Sequence, residues 1–295
     1  MKFVFEATGL TKRFEQTIAL DQIDLKIRRQ SIVGLLGRNG SGKTTLLRHL
    51  MGLYLPTEGQ VSTLGKAADR LDHDELVQIG FVPQEIQLLD WMTVGQHLRY
   101  VSSFYPEWDR DRQKRLLNEL ELEPSAVVGA LSSGNLQKLA IILAVCHHPQ
   151  LLVLDEPVSD LDPIVRARLL EFLLELLRED QATILVSSHV LRDVEKIVDW
   201  VICLDRGRVI TDTALDDLKE RYAEWLITSH NGDLPSQFSE TFVLEQDVSG
   251  REARLLVDHS QSAREDFGAT HRVDIHCRPL NLEEMFPLLV KEPTA

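Results

Sequence analysis

Gly37-Arg38-Asn39-Gly40-Ser41-Gly42-Lys43-Thr44 fits the spacing G-x-x-x-x-G-K-S/T and stands where that spacing has a mechanical meaning. Ahead of it the apolar run Ser31-Ile32-Val33-Gly34-Leu35-Leu36 predicts a buried strand. Behind it Thr45-Leu46-Leu47-Arg48-His49-Leu50-Met51 predicts the opening of a helix. In a strand-loop-helix unit the glycines let backbone N–H groups turn inward around phosphate oxygens, and the positive end of the helix faces them. Lys43 then reaches the β- and γ-phosphates, the Thr44 hydroxyl is placed to ligate Mg²⁺, and Thr45 can bond the α-phosphate.

The chain around this loop has 295 residues, room for one large domain or two, and its 43% hydrophobic and 26% charged content is that of a globular protein. A formal charge of −14 removes the broad positive field on which non-specific nucleic-acid binding depends. Cys146, Cys203 and Cys277 lie too far apart to suggest a disulfide framework or a metal knuckle, which favours a reducing, cytoplasmic setting. The first residues meet Glu6 too early for a signal peptide, and no apolar run approaches membrane-spanning length, so a membrane role is expected only through a partner.

Read in order, the alternation of Phe3, Phe5 and Ala7 and of Ile23, Leu25 and Ile27 predicts a small antiparallel region. Phe14 stands between the two strands and on local grounds reads as core. Ile79-Gly80-Phe81-Val82-Pro83-Gln84 predicts a short strand with Gln84 at its tip. From Gln87 to Cys146 the pattern is mainly helical, with a charged helix expected from Asp109 through Leu122. Leu131-Ser132-Ser133-Gly134-Asn135 opens another helix, where Ser132 reads locally as an N-cap. Cys146-His147-His148 at its end point in different directions and read as structural.

Leu151-Leu152-Val153-Leu154-Asp155-Glu156 is an apolar strand ending in two carboxylates, and ligands collect at the carboxyl ends of buried parallel strands. Asp155 is placed for Mg²⁺ and Glu156 to activate water as a general base. Thr183-Ile184-Leu185-Val186-Ser187-Ser188-His189 is a second such strand, ending in a histidine that could orient water. Trp200 to Leu204 and Arg208 to Ile210 form a further strand pair. Beyond about Asp216 the segments around Glu224 to Thr228, Glu240 to Gln246 and Arg251 to Asp258 alternate as short strands. A hairpin turn is expected at Ser249-Gly250, and a helix at Asn281 to Phe286. His271 and His276 read as ordinary residues there.

This set of segments, in this order, resembles the nucleotide-binding subunit of ATP-binding cassette (ABC) transporters over roughly residues 2 to 215. The resemblance implies an α/β fold: a P-loop NTPase core with an antiparallel β subdomain and a helical subdomain (about 87–147), within an ATP-binding domain of residues 1–218. Residues 219–295 are then a small α+β accessory domain. Gly37 to Thr44 resembles the Walker A loop, Gln84 the Q-loop that touches the metal and links ATP to the membrane partner, and Asp155 with Glu156 Walker B. Ser159-Asp160-Leu161-Asp162 is similar to the D-loop, His189 to the switch histidine, and Phe14 to the aromatic that stacks on adenine. Leu131 to Asn135 corresponds to the signature, with Ser133 at a glycine and Asn135 at the glutamine of the family's LSGGQ; Ser132 and Gly134 remain.

What the resemblance implies for function is an ATP- and Mg²⁺-dependent ATPase that dimerises head to tail, with itself or with a second such subunit. Asp162 and the signature residues then belong to the nucleotide interface. Its partner would be a transmembrane permease, which places the chain on the cytoplasmic face of the membrane with no direct nucleic-acid contact. The exporter type is the expected subgroup, from the single cassette and Phe104-Tyr105-Pro106-Glu107-Trp108-Asp109. The competing readings are a soluble cassette ATPase acting on DNA or ribosomes, whose paired cassettes, coiled-coil insertions and basic elements are missing here, and a non-hydrolysing regulatory module, which the intact Glu156 opposes.

Overall fold

The alternation at the start of the chain becomes a long hairpin in the computed structural model, which describes residues 2–158, 161–258 and 264–290. β1 (Phe3–Phe14) pairs antiparallel with β2 (Thr17–Arg28), and Val4, Phe5, Ala7 and Leu10 join Leu20, Ile23, Leu25 and Ile27 in one apolar cluster. Register shifts on either side of Leu10 accompany positive φ angles at Gly9 and Gln22, as bulges that bend a strand pair do. Phe14 closes β1 opposite Thr17 and is 40% exposed, so it is not core.

β3 (Ile32–Gly37) then enters a second sheet, and α1 (Lys43–Leu50) follows the glycine loop. β4 (Glu58–Thr63) returns to β1 and β5 (Lys66–Ala67) adds to it, giving the order β2-β1-β4-β5. After the short α2 (His73–Leu76) and β6 (Ile79–Val82) come α3 (Val94–Ser102), α4 (Arg110–Glu119) and α5 (Ser133–Val145). Strands and helices then alternate: β7 (Leu151–Asp155), α6 (Pro163–Glu179), β8 (Thr183–Ser187), α7 (Leu191–Val194), β9 (Trp200–Asp205) and β10 (Arg208–Ala214).

The second sheet has the order β10-β9-β3-β8-β7-β6, and β9, β3, β8, β7 and β6 run parallel. Every residue of β3, β7 and β8 is buried, as expected of strands covered on both faces. Parallel direction has a consequence for chemistry. The residues that follow β3, β6, β7 and β8 all leave the sheet at the same edge.

Two local devices shape the helical stretch. The helix expected through Leu122 ends at Glu119, because Glu121 turns left-handed (φ 54°) and the chain doubles back: the Leu122 N–H donates to Leu117 O and the Glu121 N–H to Asn118 O. At Gly80 a Cβ would stand 2.2 Å from the Ala144 carbonyl oxygen, so only glycine lets the backbone of α5 approach β6 this closely. The helix that begins at Ser133 is thereby seated on the strand that leads to Gln84.

Contacts divide the chain into two compact units, Met1–Asp212 and Thr213–Ala295. The second contains α8 (Leu215–Arg221), β11 (Tyr222–Ser229), β12 (Val243–Ser249), β13 (Glu252–Asp258), α9 (Arg264–His271), β14 (Val273–Pro279) and α10 (Leu282–Leu289). Its antiparallel sheet runs β12-β13-β11-β14 around Trp225, whose ring lies 5.6 Å from Phe242 and 5.4 Å from Phe267. The strand expected from Glu240 starts at Val243 and runs on to Ser249, and β14 and α9 carry no signal that sequence periodicity separates from loop. On β11 the buried Glu224 takes ion pairs from Arg254 and Arg278, whose guanidinium groups hold its carboxyl below the usual carboxylate range against the opposing effect of burial. His271 pairs with Glu240 at 2.6 Å, and His276 lies opposite Leu226 in the β11–β14 register.

Candidate functional site

A cleft of about 330 Å³ opens at the carboxyl edge of the parallel sheet. Asn39, Gly40, Ser41, Gly42, Lys43, Thr44 and Thr45 line it from one side, Gln84, Asp155 and Glu156 from another, and Thr17, Ile18 and Ala19 close it from β2. Gly42 caps α1 at φ 107°, and a Cβ there would lie 2.7 Å from the Ala19 carbonyl oxygen. The loop therefore needs glycine both for its backbone angle and for its approach to β2.

Lys43 is 7% exposed, and its ammonium donates to the carbonyl oxygens of Gly37 (2.8 Å) and Arg38 (3.3 Å). Its charge is held at the mouth of the loop. The Ser41 hydroxyl is buried without a hydrogen-bond partner among the described residues, a polar atom that an oxyanion at the loop would satisfy. Glycine cradle, helix N-terminus, ammonium and orphan hydroxyl together fit a polyphosphate.

Across the cleft Asp155 is fixed on both oxygens. Oδ2 accepts from the Thr44 hydroxyl at 2.9 Å and Oδ1 from the Ser187 hydroxyl at 2.5 Å. A carboxylate and a hydroxyl facing each other beside a phosphate site form the hard-oxygen donor set that Mg²⁺ takes, with Gln84 on the same lining. Glu156 is the first residue past β7 and adopts φ 56°, which turns its side chain towards His189. Its Oε2 accepts from the His189 backbone N–H (3.1 Å) and pairs with His189 Nδ1 (2.7 Å). The histidine side chain is 61% exposed and the glutamate 8%, so His189 shields and aims the carboxylate from the solvent side.

Other residues singled out from sequence lie outside the cleft. Ser132 and Ser133 are exposed at the start of α5, and Ser132 Oγ accepts from the Asn135 N–H, so it does act as an N-cap. Gly134 and Asn135 lie in the first turn of that helix, none of the four lining the cleft. Asp162 caps α6, its carboxylate accepting from the N–H groups of Val165 and Ile164, which hold it below the usual carboxylate range. Ser159 and Asp160 of the same segment lie outside the described residues. Phe14 stands edge-on to Tyr54 (5.4 Å), with the Lys12 ammonium 5.0 Å over its face.

Cys146, His147 and His148 part company as their directions require. Cys146 is buried and pushed up to about 12 by burial. His147 stacks on Tyr105 (4.1 Å) and is pushed down to about 4 by the same cause. His148 bridges Asp109 and Asp180.

Ser187 and the β2 wall residues Thr17, Ile18 and Ala19 went unread in the sequence. Ile18, 42% exposed and on the cleft wall, is an apolar side chain near a hairpin turn, which singles out nothing by itself. Ser187 carried a fainter signal, as a hydroxyl ending an apolar strand.

The ABC transporter family model matches residues 20–159. The chain is 31% identical to the bacitracin transport ATP-binding protein BcrA of Bacillus licheniformis, over 78% of this chain and 77% of that protein. It is 30% identical to the Nod factor export ATP-binding protein I of Ralstonia nicotianae, over 96% of this chain and 92% of that one. Among solved structures it is similar to the dimeric post-hydrolysis ATP-binding cassette MJ0796 bound to ADP and Pi, with a TM-score of 0.64 and 28% identity over 72% of this chain and 98% of that one.

Proposed function

The chain belongs to the ABC transporter family as an ATP-binding subunit, an ABC ATPase, and from that premise we propose that two such cassettes close head to tail around two ATP molecules and drive a separate membrane permease. The observation that carries this reading is the separation within one chain. Ser132, Ser133, Gly134 and Asn135 begin a helix yet line no part of their own chain's cleft. Facing the phosphate loop of a second subunit gives them an anion to bind.

In this reading Lys43 leaves the carbonyls of Gly37 and Arg38 for the phosphates, and Ser41 gains its missing partner. Thr44, Asp155 and Gln84 would hold Mg²⁺, which supplies charge neutralisation on the phosphates when bound. Glu156 accepts the proton of the attacking water, and His189 keeps its carboxylate aimed. ATP closes the pair and hydrolysis reopens it, shifting the permease between its orientations. Gln84 and the helices from about 87 to 147 form the coupling side. Asp162 reaches the interface as the end of the D-loop.

No helix among the described residues is long and apolar enough to cross a membrane, which fits attachment to the inner face of the membrane through the permease. Export is favoured because the relative named for Nod factor export matches over 96% of this chain, the second unit included. Residues 219–295 are then an accessory domain. Co-expression with a multispanning partner and purification through that partner tests the proposal: the chain is expected to co-purify and, expressed alone, to stay out of the membrane fraction. Membrane binding by the lone chain would overturn it. ATP-dependent loading of a substrate into inverted vesicles reads export, and release from loaded ones reads import.

Phe14 carries the Lys12 ammonium over one face of its ring, and stacking on adenine would use the other face or displace that ammonium. Phe14 stands opposite Thr17, a wall residue of the cleft. Phe14→Ala is expected to weaken ATP binding by about 1–3 kcal/mol, the range for base–aromatic stacking. Unchanged affinity in calorimetry would leave the ring with its Tyr54 contact alone and give the base to Ile18.

A further inference from the structure

Ser187 is fully buried at the end of β8, directly in register with Asp155 on β7. Its hydroxyl has one proton and two lone pairs, and the structure uses the proton and one lone pair on the two acidic residues of the site. Ser187 Oγ donates to Asp155 Oδ1 at 2.5 Å and accepts from the Glu156 N–H at 3.0 Å. The Ser187 carbonyl takes the same N–H at 3.2 Å. Glu156 is held at a positive φ that a residue with a side chain adopts only at a cost, and this N–H is the backbone handle on that angle.

We propose that Ser187 is a positioning residue for ATP hydrolysis, fixing the Asp155 carboxylate for the metal and the Glu156 backbone for the base through one hydroxyl. The inference rests on the ATPase reading above. With Oδ1 of Asp155 bound to Ser187, the carboxylate cannot rotate, and Oδ2 stays beside Thr44 at 2.9 Å. With the Glu156 N–H bound to the same oxygen, the residue that presents the base turns with the residue that presents the metal ligand. Movement of β8 against β7 would disturb both at once. Without the hydroxyl, Asp155 loses the bond on Oδ1 and keeps the one from Thr44 on Oδ2, and the Glu156 N–H loses the shorter of its two bonds to Ser187.

Ser187→Ala removes the hydroxyl and little volume, and Ser187→Thr keeps it. For Ser187→Ala the kcat of ATP hydrolysis is expected to fall about 10- to 100-fold, the range for outer-shell partners of metal ligands, with KM for ATP within about twofold. Mn²⁺ titrated into the full-length protein with a non-hydrolysable ATP analogue, followed by electron paramagnetic resonance, should bind about tenfold more weakly. ATP affinity in EDTA should not change, and Ser187→Thr should restore Mn²⁺ affinity. Wild-type Mn²⁺ affinity and kcat in Ser187→Ala would overturn the proposal. So would an equal loss of metal-free ATP affinity, which marks a general packing role. Should the wild-type protein not hydrolyse ATP, the ATPase reading fails, while the Mn²⁺ titration still decides the role of Ser187.

Discussion

Glu156→Gln is expected to lower the kcat of ATP hydrolysis about 10²–10⁴-fold, the usual contribution of a general base, while ATP remains bound. The amide keeps the shape of the carboxylate and can still accept from the His189 N–H, now 3.1 Å from Oε2, but it cannot take a proton from water. The groups expected to hold phosphate and metal, Lys43, Thr44 and Asp155, are untouched, since none of them bonds the Glu156 side chain in the contacts described above. The closed pair should therefore persist, seen as an ATP-dependent dimer in size-exclusion chromatography with Mg²⁺. Lys43→Ala should behave oppositely, losing ATP binding and forming no such dimer. A Glu156→Gln protein that releases phosphate at the wild-type rate would remove Glu156 as the base and pass water activation to His189 or to the substrate phosphate.

Asp180→Ala should be strongly destabilising although it lies outside the cleft, by about 3 kcal/mol, the lower end for breaking a buried ion pair. Arg112, 7% exposed, donates in two parallel bonds to Asp180 (2.7 and 3.1 Å) and to the Val145 carbonyl, tying α4 and the end of α5 to the turn after α6. Removing the carboxylate strands the guanidinium, with Asp109 at 3.8 Å as its remaining charge partner, which is why the lower figure applies. For a domain of this size the thermal midpoint should fall by about 6–12 °C.

The loss should also depend on pH. Burial would raise Asp180, but the Arg112 hydrogen bond and charge outweigh it and hold the carboxyl below its usual range. A depressed carboxylate stabilises fully above its unfolded value of about 4 and loses that contribution as pH falls towards its folded one. The gap between wild type and Asp180→Ala should thus shrink as pH falls below about 4. A pH-independent gap in urea unfolding would assign the effect to packing.

Much of the cleft lining was legible because it is written locally. A glycine loop between an apolar strand and a helix, and apolar strands ending in Asp155-Glu156 and near His189, need only short-range spacing to be recognised, and buried parallel strands with a common direction bring their tips together. The helix stop at Glu121 was missed because a left-handed cap needs no glycine when the chain folds back on Leu117. In the second unit alternation was visible, but β14 and α9 are defined by what packs around Trp225 rather than by their own period.

Short windows of sequence were enough to give the side chains of the cleft and their order: the glycine loop with Lys43 and Thr44, then Gln84, then Asp155 and Glu156. Only the tertiary structure decided how these groups are held. Thr44 meets Asp155 across 111 positions, Arg112 meets Asp180 across 68, and Ser187 joins two acidic residues more than thirty positions away. Each of these bonds depends on the register of one strand against another or on where a helix ends. Register is set by burial summed over whole sheets, so no window of sequence contains it.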